Sequence, residues 1–479
     1  MANLLTHRRL RVTVGLLAAI ALAAPIVPAA PLQGAAPLQA SAAQAGQAAT
    51  TGPVDPGPVA TPLPVDDGTA QAAPPDVGPS TEYLDAMAHA ADRPAFTPGG
   101  PATTPLEAAP AATSGTAALT SSTTRSTTAG LRREVLGFLP YWTVGSRDLR
   151  LDYTTLSTIA YFAVGAGPDG HLQTRDPDGT SSVGWAGWTS RAMTAVINAA
   201  HRHGTRVVLT VERFAWTSGQ AADTITLLSS ATLRARLAAE ITKAVHDRGA
   251  DGVNLDFEPI PAGQAANYVA FVRLLRADLN ARRAGYELTF DATGRPDSYD
   301  ISGLTAPGAA DAVMVMGYDY RGAGSSAAGS IDPLAGPTYD LTDTIDAYLA
   351  LTSPGKIILG VPYYGRAWST SGSGPHAPTL APSSHDGYSV SATYAQAVAL
   401  AGAHGRQYDG LEQSPWTAYS MAPCSGCAKV TRELYYDDAV SLGQRYDMIN
   451  RKGLRGAGIW ALGYDGTRPE LAADAFETL

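Results

Sequence analysis

The chain has 479 residues, 45% of them hydrophobic, and a formal charge of -9. That is enough apolar material for one large core or two smaller ones. No Lys/Arg cluster is dense enough to track a phosphate backbone, so the reading includes no nucleic acid partner. All seven Trp fall between Trp142 and Trp460, which sets the first 130 residues apart by composition.

The N-terminus opens with the basic stretch "HRRLRV", then the apolar run "TVGLLAAIALAAPIV" and small residues. The run is short for a membrane helix and Pro25 breaks it. Residues 1–30 therefore read as a secretory signal peptide, which leaves no stable membrane span after cleavage; the alternative is an uncleaved anchor. Either way the protein is expected outside the cytoplasm, secreted or associated with the cell surface or wall. Residues 31–130 are rich in Pro, Ala, Thr, Gly and Ser and lack apolar periodicity. They read as a disordered linker, either a tether or a solvated leader. Within it only "TEYLDAMAHAA", Thr81 to Ala91, has the makings of a short helix.

Order is expected from about Arg133. Eight short apolar runs follow: "EVLGFLPYW", "STIAYFAVG", "RVVLTVERF", "DGVNLDFEP", "YELTFDATG", "DAVMVMGYDY", "KIILGVPYYG" and "GAGIWALGYD". Helical stripes separate some of them, such as Leu233, Leu237, Ile241 and Val245, or Tyr268, Phe271, Val272, Leu275 and Leu279. Repeated strand–helix units imply a parallel sheet, and eight of them a closed α/β barrel, the (β/α)8 or TIM barrel, over residues 133–479. The longest interval lies between runs seven and eight. It predicts a small α+β insertion at about 369–431.

The fourth run sits in "GADGVNLDFEPI". Side chains of a strand alternate faces, so Val253, Leu255 and Phe257 share one side and Asn254, Asp256 and Glu258 the other. The apolar set suits the surrounding helices. The polar set then points into the barrel and rises toward the C-terminal mouth, where barrel enzymes place their chemistry. Two buried acids are costly unless paired or used. Paired carboxylates at a barrel mouth suggest glycoside hydrolysis.

Four segments carry a resemblance. "DGVNLDFE" resembles the strand-four motif D-G-x-D-x-D-x-E of glycoside hydrolase family 18, the chitinase family. "VMVMGYDY" is similar to its strand-six M-x-Y-D, "GVPYYGRAW" to its strand-seven segment, and "LYYDDAVSLGQRYDMINRKGLRGAGIWALG" to its last helix and strand eight. The likeness runs from Glu134 to Asp465. It implies Glu258 as general acid, Asp256 as the carboxylate that orients the substrate's N-acetyl group, and Tyr318 as the hydroxyl that holds that group for attack. In this family the acetamide oxygen is the nucleophile, so a second nucleophilic carboxylate is not needed. Met316, Asp319, Tyr364 and Arg366 match sugar-binding positions, Trp460 the floor under the reacting sugar, and Trp142 and Asn254 further substrate contacts. The implied activity is cleavage of β-1,4 bonds in N-acetylglucosamine-containing glycans, with a polysaccharide as partner, no cofactor and no metal, in a monomer. A carbohydrate-binding lectin on the same barrel is the alternative, as is a wall-bound adhesive scaffold.

Two departures stand out. Asn254 replaces the first Asp of the motif, a feature associated with spore-cortex and cell-wall N-acetylglucosaminidases. Because Asn cannot ionise, Asp256 is expected to charge at lower pH than it would beside an Asp. Strand three reads "LTVERF" where the family form is S-x-G-G, and Glu212 there has no assigned role. The two cysteines, Cys424 and Cys427 in "PCSGC", favour a disulfide in a secreted protein over a redox pair or a zinc site. His201 and His203 fit a helix end better than a metal site.

Overall fold

The computed structural model describes residues 78–106 and 131–479, which lie within one compact unit. The expected signal peptide lies outside the described residues, as does most of the expected linker. No helix among the described residues is long and apolar enough to cross a membrane.

Eight strands close a parallel barrel: β1 (Glu134–Pro140), β2 (Thr158–Gly165), β3 (Arg206–Phe214), β4 (Gly252–Glu258), β5 (Glu287–Thr293), β6 (Ala312–Met316), β7 (Ile357–Pro362) and β13 (Gly456–Trp460). β13 joins β1 to β7 and closes the ring. Each of the eight apolar runs supplies one strand. The alternation of β4 resolves as its sequence demands. Phe257 stacks on Tyr268 and Phe271 of the helix Ala265–Arg282, with ring centroids 5.4 and 5.7 Å away. Each such fully buried aromatic stabilises the fold by about 2 kcal/mol through its apolar area. The helix Ala231–Arg248 precedes β4. Leu237, Ile241 and Val245 are buried on its barrel side, and Gly249 ends it in a left-handed turn (φ 68°) that lets the chain drop into the strand.

An ion network ties the N-terminal end of the barrel. Arg455 reaches Glu134 on β1 (2.6 Å) and Glu287 on β5, and Arg206 lies 3.7 Å from Glu287. This is the end that serves stability in such barrels, leaving the opposite mouth for chemistry.

Between β7 and β13 lies a second, antiparallel sheet. Its strands are β8 (Tyr364–Thr370), β9 (Val390–Thr393), β10 (Gln407–Asp409), β11 (Ser414–Met421) and β12 (Val430–Tyr436), in the order β10-β11-β12-β8-β9, with the helix Tyr394–His404 beside it. The insertion is wider than the expected 369–431. Tyr364 and Arg366 stand on its first strand, not on the seventh barrel strand, because the chain breaks at Tyr363 and turns away to pair with β12. Cys424 and Cys427 are joined by a disulfide across a tight loop, with Cα atoms 5.2 Å apart.

Part of the region expected to be a disordered linker is ordered, and the short helix expected at Thr81 to Ala91 forms there. Helix α1 (Thr81–His89) is followed by a strap, residues 94–104, that runs down the outside of the barrel. Composition gave little reason for order here, because what holds the segment comes from the barrel. Gly99 N donates to Thr189 O (2.9 Å), Arg191 N to Thr97 O (2.7 Å) and Ala102 N to Arg248 O (3.0 Å). A Cβ on Gly99 would lie 2.6 Å from the Arg191 Cα, so only glycine admits this approach. His201, at its helix end, is bonded rather than metal-bound: Nε2 faces Asp251 (2.7 Å) and Nδ1 the Thr104 carbonyl (2.6 Å).

Candidate active site

Asn254, Asp256 and Glu258 form a ladder on the inner face of β4, all essentially without solvent exposure. Register supplies their neighbours. Glu212 on β3 pairs with Asp256, and Thr289 on β5 pairs with Asn254. Asn254 is held from one side: its Nδ2 donates to Asp291 Oδ2 (2.6 Å) and its Oδ1 accepts from Thr289 Oγ1 (2.7 Å). Three acids, Glu212, Asp256 and Asp291, thus crowd one level of the barrel, with Glu258 one step nearer the mouth.

Crowding and burial decide their protonation. Asp256 is held well above the usual carboxylate range by burial first and the Glu212 charge second, and neither of its oxygens has a hydrogen-bond partner among the described residues. Asn254 spends its amide on Asp291 and adds no charge beside Asp256, so burial dominates there. Glu258 is raised by burial, then by the charges of Asp256 and Glu82. Asp291 is raised by burial and by Asp256, against the Asn254 hydrogen bond. Loss of solvent pushes Glu212 up to about 7. Burial and the neighbouring charges thus disfavour the charged form of Glu258.

Two strands round the barrel from β4, the chain leaving β6 carries Tyr318 and Asp319, two and three residues beyond the buried Met316. Asp319 takes a left-handed backbone (φ 61°), a conformation a non-glycine residue holds only where its surroundings insist. It accepts from the Tyr364 hydroxyl (2.7 Å), so the insertion's first strand closes this wall. Trp460, at the end of β13, is enclosed by Phe138, Phe162 and Trp142, with centroids 5.6, 4.7 and 6.4 Å away. The structure thus brings the ten site residues named from the sequence to one mouth.

Helix α1 sits in that mouth. Ser80, its N-cap, donates through Oγ to Glu258 Oε1. The Thr81 amide and hydroxyl donate to the two oxygens of Asp319 (2.6 and 2.7 Å), and Arg366 Nη2 donates to Thr81 Oγ1 (3.3 Å). The Tyr318 hydroxyl donates to Glu82 Oε1. Asp85 Oδ2 accepts from Trp460 Nε1 (3.1 Å) and the Tyr464 hydroxyl (2.6 Å). His89 stacks on Trp142 at 4.5 Å.

Sequence reasoning missed Asp291, although Thr289 and Asp291 alternate with Leu288, Phe290 and Ala292 just as the β4 ladder does. It missed Tyr464 and the acids of α1 as well, and the latter have no local signal. A further cluster, His376 with Asp409 and Glu412, lies in the insertion. Glu412 is already committed to Arg321 (2.5 and 2.9 Å) and the Ser330 amide (2.8 Å), so the cluster reads as a structural ion pair.

A closed parallel barrel with stacked carboxylates on β4 and an antiparallel insertion before its last strand is a (β/α)8-barrel architecture with an inserted sheet. Residues 134–465 match the family model "Glycosyl hydrolases family 18", and the chain belongs to that family. YdhD of Bacillus subtilis strain 168, which bears the name of a sporulation-specific glycosylase, is 29% identical over 243 residues, 49% of this chain and 52% of that protein. The cortical fragment-lytic enzyme of the same organism is 27% identical over 248 residues, 50% of this chain and 52% of that protein. The chain thus spans about half the length of these relatives. Among solved structures, the Cycas revoluta chitinase in complex with a tetrasaccharide of N-acetylglucosamine superposes with a TM-score of 0.58 at 19% identity, covering 72% of this chain and 99% of that one, a likeness of fold.

Proposed function

We propose that this protein is an extracytoplasmic glycosidase that cleaves β-1,4 bonds next to N-acetylglucosamine by substrate-assisted, retaining catalysis. The observation that carries the reading is the buried Glu258 standing one step above Asp256 on a single strand face, its carboxyl held above the usual range by burial, with the Tyr318 hydroxyl on the chain leaving β6. In the proposed step Glu258 gives its proton to the glycosidic oxygen while the acetamide oxygen of the sugar attacks C1. The C1–O bond breaks and an oxazolinium ion forms. The Asp256 carboxyl, with neither oxygen partnered among the described residues, accepts the acetamide N–H, and the carboxylate left on Glu258 balances the positive charge. Water then adds at C1, giving its proton to the Glu258 carboxylate, and the anomer is retained.

A peptidoglycan-like glycan is the favoured substrate over chitin. Asn254 in the motif and the names of the two Bacillus relatives support that choice. Secretion is supported by the signal-like residues 1–30 and by the Cys424–Cys427 disulfide, a bond typical of oxidising compartments. The convergence of Glu258, Asp256 and Tyr318 favours an enzyme over a lectin. Parallel digestion of peptidoglycan and chitin oligosaccharides, with mass analysis of the products, tests the proposal. Products ending in N-acetylglucosamine are expected. Efficient cleavage of a fully deacetylated substrate would contradict the mechanism.

A further inference from the structure

We infer that helix α1 is a built-in inhibitor: it occupies the substrate cleft in place of a glycan, and the protein is latent until it leaves. The inference rests on the active-site reading above and adds a regulation to it.

Three observations carry it. The first is the choice of partners. Within ten residues, the chain from Ser80 to His89 engages Glu258, Asp319, Tyr318, Arg366, Trp460 and Trp142, six of the ten groups assigned to the acid and the sugar contacts. Hydroxyls and carboxylates meet the polar groups and an imidazole lies flat on an indole, the pattern of contacts a sugar chain would make.

The second is energetic. Glu82 and Asp85 enter a cavity that already holds Asp256, Glu258, Asp291 and Asp319. Burial and the Asp319 and Asp256 charges raise Glu82, while burial raises Asp85. A segment that served only to fill the barrel mouth would gain more from apolar side chains. A nine-residue helix is also marginal alone, so α1 owes its order to the cleft.

The third is the attachment. The strap fixes the helix to the barrel exterior, where Thr103 N and Thr104 N donate to Asn198 Oδ1 (2.9 and 2.8 Å). The turn from Ala90 to Arg93 between helix and strap is exposed. A tethered occupant competes at high effective concentration and is weakened sharply once the tether is cut.

The test inserts a site-specific protease's recognition sequence between Ala91 and Asp92 of the full-length chain. Cut and uncut protein are compared for hydrolysis of N-acetylchitotetraose and, with Glu258→Gln in addition, for binding of that oligosaccharide. Size exclusion follows departure of the N-terminal fragment. Cutting is expected to raise both readouts by about ten-fold or more. Uncut Glu82→Lys/Asp85→Lys should move in the same direction, and the two changes are combined with the cut if the fragment stays seated. Equal hydrolysis and binding before and after the fragment leaves would overturn the inhibitor while leaving the glycosidase reading intact. Binding gained without hydrolysis would uphold the inhibitor and overturn the glycosidase reading. Neither readout in any form would overturn both.

Discussion

Ser80 Oγ donates to Glu258 Oε1 across 178 positions of sequence, so the proposed proton donor is capped by a residue from the N-terminal segment. Glu258 Oε2 has no hydrogen-bond partner among the described residues. The acid is thus buried and half satisfied.

Glu258→Gln preserves this geometry, because a neutral amide still accepts from Ser80 while the transferable proton is gone. In the cut protein, turnover should fall by about 100- to 10,000-fold with oligosaccharide binding kept. Thermal stability should not drop, since burial already disfavours the charged form of the side chain it replaces. Near-normal turnover would remove Glu258 from the acid role.

Tyr318→Phe separates two uses of one hydroxyl. In the cut protein, loss of the acetamide contact should lower kcat by about 100-fold, the scale of one lost hydrogen-bond donor at a reacting centre. In the intact chain the same change removes the Glu82 contact, so oligosaccharide binding should tighten. A variant with unchanged kcat after cutting would show that the hydroxyl serves the helix alone.

How far the sequence anticipates this structure depends on where each constraint resides. The β4 ladder is legible because strand period and apolar side both sit in twelve residues, and Phe257 meets the helix Ala265–Arg282 as its alternation requires. Tyr364 misleads: its run reads as one strand with Val361, yet pairing with β12, some seventy residues later, draws it into a different sheet. Asp291 was legible from alternation but has no motif to announce it. Helix α1 is the opposite case. Its pattern is weak, its neighbours in sequence are Pro- and Ala-rich, and its partners are acids, tyrosines and tryptophans that only folding brings together.

Arg455 provides a control far from the chemistry. It bridges Glu134 and Glu287 at the closed end of the barrel, and both acids are almost completely buried. Arg455→Met should strip Glu134 of its bonded cation, leave Glu287 with Arg206 alone, and cost about 3–5 kcal/mol of stability, read from denaturant unfolding. The pH dependence of oligosaccharide binding should stay as in the parent. A stability loss near zero would mean that the two acids find protons or partners elsewhere.

Asn254→Asp tests the pairing seen on β5. Asp291 Oδ2 now accepts from the Asn254 amide at 2.6 Å; a carboxylate there would oppose it. Asp291 is already raised, and the new acid, buried beside it, should be raised too. A raised group contributes stability fully present below its unfolded value and lost as pH rises through its folded value. The variant should therefore match the parent near pH ~4 and fall behind it progressively as the pH rises above that. Melting temperatures across pH check this; a gap that is constant, or that widens on acidification, would place the Asp291 contact elsewhere.

The same linkage governs α1. Glu82 faces Asp256 and Glu258 on β4 and Tyr318 and Asp319 beyond β6, and the cation nearest the helix start is Arg366, bonded to Thr81. Asp85 faces Trp460, Tyr464 and Asp319, with His89 one turn along its own helix. Both acids are raised while seated, Glu82 strongly, chiefly by burial, and Glu258 is raised in part by Glu82. On leaving, Glu82 and Asp85 return to the ordinary carboxylate range, so the seated state holds more protons. Seating is then fully favoured below that range and weakens as pH rises through the raised values. A thiazoline analogue of N-acetylglucosamine, which copies the cyclised intermediate, should bind the intact chain more weakly than the cut chain at about pH 5, with the ratio narrowing toward about pH 8. In Glu82→Gln/Asp85→Asn, which keeps the shape and removes the two charges, the narrowing should shrink to what Glu258 supplies. A ratio that stays fixed across this range, or widens as the pH rises, would show that the helix is held by contacts indifferent to protons.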